Sequence, residues 1–155
     1  MVAPEFQLTV ECCRRAFAGG GEGVISALAE TCNWGRFLRM TRRHRVQGLV
    51  RHALSAFDLE LPTDVAEALS DDAAAIARDN LQAAAGSAAL LEAFERAGVE
   101  LLFVKGLTLG ALAYPSPFLK MGWDIDVLVE ADAVSAAAAG LGRNGYGRVV
   151  PAEDR

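Results

Sequence analysis

Met121-Gly122-Trp123-Asp124-Ile125-Asp126-Val127-Leu128-Val129 sets two carboxylates at i and i+2 ahead of an unbroken apolar run. Side chains of an extended chain alternate between faces, so Asp124 and Asp126 are expected to share one face and Ile125 the other. Val127, Leu128 and Val129 carry the strand into a core. Two like charges held this close repel unless a cation lies between them or one carboxyl takes up a proton. Mg²⁺ suits such a pair, because it prefers carboxylate oxygens, keeps several waters and is often shared with substrate phosphates.

Upstream, Val99-Glu100-Leu101-Leu102-Phe103-Val104-Lys105-Gly106 reads as a second strand ending in a cation and a glycine. Leu107 to Ala113 follows as a short helix, so backbone N–H groups near Gly106 face a place where an anion can sit. Gly106 has no Cβ and lets a phosphate come close to the chain. The fifteen basic residues comprise only two lysines, Lys105 and Lys120, and both flank these strand ends. Compact ammonium groups in these places suit phosphates. After the Pro115-Ser116-Pro117 loop and the Asp-Ile-Asp strand, Ala131 to Leu141 is helical. Gly142 to Gly145 turns, and Tyr146 to Val150 begins a third strand. The strand–helix–strand order predicts parallel neighbours joined by a right-handed crossover, with Lys105 and Gly106 at the same edge as the aspartates.

The N-terminal half is helical. Phe6, Val10, Cys13 and Phe17 recur at helical spacing, and Gly19-Gly20-Gly21 ends that helix. The glycine run follows a helix and lacks a Lys-Ser/Thr, so it is a connector and not a phosphate loop of the Walker type. Asn33 caps a helix predicted from Trp34 to about Phe57, with an apolar face of Phe37, Leu38, Val46, Leu49, Val50, Leu54 and Phe57. Its arginines, among them Arg36, Arg39, Arg42, Arg43 and Arg45, form a basic face. A solvated face offset by acids elsewhere, or pairing with the carboxylates of a neighbouring helix, is favoured over RNA binding, because no aromatics interleave with the charges. A turn at Leu61-Pro62 opens a helical stretch to Leu69, and Ser70-Asp71-Asp72 caps another to about Ala97. Gly98 sits at its C-terminal cap, and Gly86-Ser87 marks a weak point or kink.

With 52% hydrophobic and 23% charged residues among 155, the composition is that of a globular protein. A net charge of −5 supplies no global attraction to nucleic acid, so any anion site is local. Cys12, Cys13 and Cys32 fit neither a disulfide framework nor a zinc pattern, which points to a reducing interior. No signal peptide and no membrane-spanning run is visible, and the expected location is cytoplasmic.

The pairing of a Lys-Gly strand end with an Asp-x-Asp strand suits phosphoryl or nucleotidyl transfer. On these motifs the chain resembles the uncharacterised bacterial nucleotidyltransferases of the polymerase-β-like superfamily. Arg42-Arg43-His44-Arg45-Val46 is similar to their helical prelude, and Leu102 to Gly106 with Leu109 to their first strand and glycine turn. Tyr114 and Met121 to Val129 are similar to their metal-binding segment, and Gly145-Tyr146 to their closing turn. The resemblance implies an α/β (α+β) fold, with a helical region over 1–98 and a truncated β-α-β-α-β core over 99–155. It implies Mg²⁺-dependent transfer of a nucleoside monophosphate from a nucleoside triphosphate to a hydroxyl of a protein, RNA or small molecule. Asp124 and Asp126 are the catalytic metal ligands, and Lys105, Gly106 and Lys120 bind the nucleotide. Active superfamily members add a third carboxylate from a later strand, and the complete enzyme has room for two ions. Here only Glu153 and Asp154 remain beyond the turn residues Glu130 and Asp132, so the core is expected to be incomplete at its C-terminus. The alternatives are a catalytically inactive nucleotide- or metal-binding module and a helical interaction module.

Overall fold

A computed structural model describes residues 2–56, 59–147 and 149. The first helix, α1 (Pro4–Ala18), begins on a proline in its first turn and ends where Gly19 takes a φ of 70°. Its buried stripe is Leu8, Cys12 and Ala16 with Glu5 and Thr9, and not the expected Phe6–Val10–Phe17 face. Two apolar stripes compete on this helix, and a polar contact belongs to the buried one. Glu5 accepts a hydrogen bond from the backbone N–H of Asn33 at 3.3 Å. The outer stripe is used at the periphery, where Phe6 meets His44 and Phe17 meets Tyr114 edge to face.

After α2 (Glu22–Glu30), the Asn33 side chain caps α3 (Trp34–His44) by accepting from the N–H of Arg36 at 3.0 Å. The helix predicted over 34–57 is in fact two, α3 and α4 (Gln47–Leu54). The break lies at Arg45, which has φ 57° and ψ 40°. Arg45 N–H donates to Arg42 and Val46 N–H to Thr41, the paired bonds of a Schellman ending without its usual glycine. Phe57, placed on the predicted apolar face, lies outside the described residues.

The two helices expected over 63–97 are one, α5 (Thr63–Arg96), of 34 residues. Asp72 does not cap a new helix but accepts from Arg42 Nε at 2.8 Å. Gly86 produces no break. A Cβ there would stand 3.0 Å from Ile125 Cδ1, so the glycine is a seat for that side chain. Val65 and Leu69 join Leu8, Cys12, Ile25, Phe37, Val50 and Leu54 in a first core, while Leu90 and Phe94 join Val99 and Ala137 in a second. One helix therefore serves both cores.

Beyond Gly98, β1 (Leu101–Phe103) leads to α6 (Leu107–Ala113), a single 3₁₀ turn at Pro117–Leu119, β2 (Val127–Val129), a second 3₁₀ turn and α7 (Val134–Arg143). The helical N-terminal region and the small sheet make an α+β fold. The strands pair antiparallel, with Leu101 opposite Val129 and Phe103 opposite Val127. This overturns the expected parallel crossover. The 3₁₀ turn lies hard against the helices and reverses the chain before it re-enters the sheet. A Cβ on Gly48 of α4 would come within 2.5 Å of the Leu119 carbonyl oxygen. Asp124 and Asp126 precede β2 in irregular backbone and do not form part of it. The third strand predicted over 146–150 is absent at Tyr146, Gly147 and Val149, and its other positions lie outside the described residues. Among the described residues, no helix is long and apolar enough to cross a membrane.

Cys12 is fully buried, and burial pushes its thiol from 9.0 up to about 12. Its folded-state pKa is raised, so its contribution to stability is complete below the unfolded value and is lost as pH rises through 9 toward 12. The urea midpoint is expected to fall over that alkaline window. In Cys12→Ala the midpoint should be lower at neutral pH but less dependent on alkaline pH, and equal slopes in the two proteins would refute the assignment.

Candidate active site

The loop from Lys120 to Asp126 is positioned by a buried amide. Asn80 of α5 is 2% exposed, and its Nδ2 donates to the carbonyls of Lys120 at 2.9 Å and Pro117 at 3.4 Å. Buried carbonyls need donors, and a helix side chain is a fixed one. Gly110 of α6 supports the same turn from another side, since a Cβ there would lie 3.1 Å from Pro117. Held in this way, the chain passes Met121 and Gly122 and approaches the end of β1.

Antiparallel pairing decides what meets there. The C-terminal end of β1 lies beside the N-terminal end of β2, and Val104 N–H extends the ladder to the Asp126 carbonyl at 3.2 Å. Lys105 Nζ then stands 3.3 Å from Asp126 Oδ1. A parallel sheet would have put this lysine at the opposite end of β2. The pair is open to solvent, with side-chain exposures of 66% and 31%, so it adds at most about 1 kcal/mol to stability and leaves the ammonium able to turn to another anion. Gly106 has φ 61° and ψ −130°, a conformation that favours glycine, and its ideal Cβ would lie 3.3 Å from the Asp124 carbonyl oxygen. A side chain at this position would wedge the two strand ends apart.

Lys105, Gly106, Lys120, Asp124 and Asp126, the five residues singled out from sequence, all line one cavity of about 120 Å³. Both aspartates and the Lys105-Gly106 pair also line a smaller adjoining recess, together with Ile125. Arg45, Met121, Gly122 and Trp123 complete the cavity wall, and the Arg45 guanidinium lies 5.2 Å over the Trp123 ring. Sequence reading missed Arg45 as a site residue, because the break that aims it carries no glycine. It also missed Asn80. The available signal was one amide four residues after Ile76 on the buried stripe of α5. Three cationic residues and two carboxylates line the cavity, a set of groups chemically able to hold a metal ion and an anion together.

Among the described residues, no group of three or more His, Cys, Asp or Glu side chains could hold a metal ion, so no third carboxylate joins Asp124 and Asp126 as a ligand. Glu130 and Asp132 follow β2 at its far end, about 13 Å along the chain at strand rise. Glu153 and Asp154 lie outside the described residues.

A family model described as an uncharacterised nucleotidyltransferase matches residues 30–154. The chain belongs to that family. All nine residues that line the cavity fall within the match, whereas α1 precedes it yet fills part of the first core. No curated protein and no solved structure matches the chain.

Replacing Asn80 by leucine keeps the volume close but leaves the Lys120 and Pro117 carbonyls without this donor. The expected loss is about 1–3 kcal/mol in urea unfolding, with faster amide exchange across residues 117–126. Unchanged exchange in that segment would show that the loop is held by something else.

Proposed function

We propose that this nucleotidyltransferase family member binds a nucleoside triphosphate with Mg²⁺ and transfers its nucleoside monophosphate to a hydroxyl acceptor. The observation that carries the reading is the convergence of Asp124, Asp126, Lys105, Lys120 and Arg45 on one small cavity at a strand end. Two carboxylates with room for water and phosphate oxygens match the way Mg²⁺ is commonly bound with nucleotides. Asp124 and Asp126 would hold it. When bound, Mg²⁺ supplies charge neutralisation and polarises the phosphate under attack.

The remaining work falls to the chain's own side chains. Lys105 offers an exposed ammonium, which can leave Asp126 for a phosphate oxygen at little cost. Gly106 lets that phosphate approach the backbone. Lys120 and Arg45 add positive charge on the other walls, so charge developing on the transferred phosphate meets fixed cations. The helix α6 has seven residues, and its dipole is a minor contributor beside these groups.

The missing third carboxylate among the described residues favours a second reading, in which nucleotide is bound and not transferred. Activating an acceptor hydroxyl calls for a base or a second well-held metal, and the described residues at this edge supply ligands for one ion.

Asp124→Asn with Asp126→Asn removes a like-charge pair and one exposed ion pair. The melting temperature without ligand is expected to stay within about 2–4 °C of the parent. The upward shift given to the parent by Mg²⁺–ATP is expected to vanish. A full ligand shift in the double variant would place the site elsewhere. Transfer from α-labelled ATP separates the two readings, provided that an acceptor is supplied. Label transfer that falls about 100-fold or more in Asp124→Asn supports catalysis, whereas a Mg²⁺–ATP shift without transfer selects the binding module.

A further inference from the structure

Asp124 stands between two cavities of opposite character. On one side lies the small cavity with Arg45, Lys105 and Lys120. On the other, a groove of about 760 Å³ runs between α5 and the lead-in to β2. Leu90 and Ile125 give this groove an apolar lining, and Trp123 and Tyr146 add two aromatic rings. Its charged side chains are the carboxylates of Asp79 and Asp124, and no lysine or arginine lines it among the described residues. The volume lies within the range of small-molecule sites, about 300–1,000 Å³.

The field of such a groove is unfavourable for phosphate and favourable for a cation, through both the carboxylates and the aromatic faces. Trp123 belongs to both cavities. Its residue exposure is 64% although Arg45 lies over its ring, so the indole is braced from one direction and presented to a ligand from another. Asp124 belongs to both as well, which is the relation needed between a nucleotide phosphate and the group that attacks it.

Resting on the nucleotidyl-transfer reading above, we infer that this groove is the acceptor site and that the acceptor is a small cationic molecule. It carries an amine, an apolar or aromatic body and a hydroxyl. In the transfer the hydroxyl oxygen bonds to the α-phosphorus and the bond from that phosphorus to the bridging oxygen breaks. Pyrophosphate leaves with the electron pair, and the hydroxyl proton is lost to water. A polyanionic acceptor is disfavoured by the same charges that attract the amine.

Three phenols of matched ring size test the charge preference: tyramine as cation, 4-ethylphenol as neutral analogue and 4-hydroxyphenylacetate as anion. Their binding to the full chain is read by ligand-observed NMR. Tyramine is expected to bind about fivefold more tightly than 4-ethylphenol, with the anion weakest, and added salt should shrink the difference. Asp79→Asn should weaken tyramine about fivefold and leave 4-ethylphenol unchanged. The salt series on the unmodified chain gives the answer even if that variant folds poorly. Equal binding of the three, preference for the anion, or tyramine binding untouched by both salt and Asp79→Asn would overturn the assignment. Asp126 does not line the groove, so Asp126→Asn should keep the tyramine preference while losing the Mg²⁺–ATP shift. An intact Mg²⁺–ATP shift in the parent with no cation preference refutes the groove alone. A cation preference in a parent that ignores Mg²⁺–ATP refutes the nucleotide reading, and the acceptor role falls with it.

Discussion

The hydrogen bonds from the Asn80 amide to the carbonyls of Lys120 and Pro117 are the constraint on which the rest of the arrangement turns. They join the middle of a long helix to an irregular loop that makes few regular backbone bonds of its own. Everything downstream inherits its place from them: the direction in which the chain enters β2, the edge at which the aspartates emerge and the reach from Lys105 to Asp126. A single neutral amide suffices because it is buried, where an unmade bond costs far more than a made one contributes.

Close backbone approach supplies the remaining precision. Gly48 of α4, Gly86 of α5 and Gly106 just ahead of α6 each face a part of the loop or its lead-in that a Cβ would crowd. With α5 passing from the first core to the second, these contacts fix the loop to a strut whose ends are both anchored. The arginine face of α3 is partly spent on the same framework, through Arg42 to Asp72 and Arg45 to Trp123.

Much of this was legible in the residues. Asn33 as a cap, Gly19 and Gly98 as helix ends and the bounds of α6 follow from side-chain chemistry within a few residues, where local rules dominate. The four polar residues and the glycine that line the small cavity together were singled out for the same reason, since spacing and residue type are read locally. Strand direction was not, because it depends on Asn80 and Gly48, which lie far away in sequence. The division of 34–57 into two helices was hidden by an arginine in a glycine's role. The buried stripe of α1 was chosen by tertiary contacts over an outer stripe that looks more apolar. The uninterrupted α5 overrode a Ser-Asp-Asp sequence that by itself favours a cap, because its two ends bury Leu69 and Phe94 in separate cores.

Arg45 meets two opposed demands. Its left-handed backbone is disfavoured for an L-residue, yet its guanidinium reaches the Trp123 ring and lines the cavity. Conformational comfort and chemical reach therefore pull in opposite directions at a single position. Glycine would relax the main chain there and strip a cation from the cavity wall, so a gain in backbone stability at this position comes only with loss of the guanidinium over Trp123.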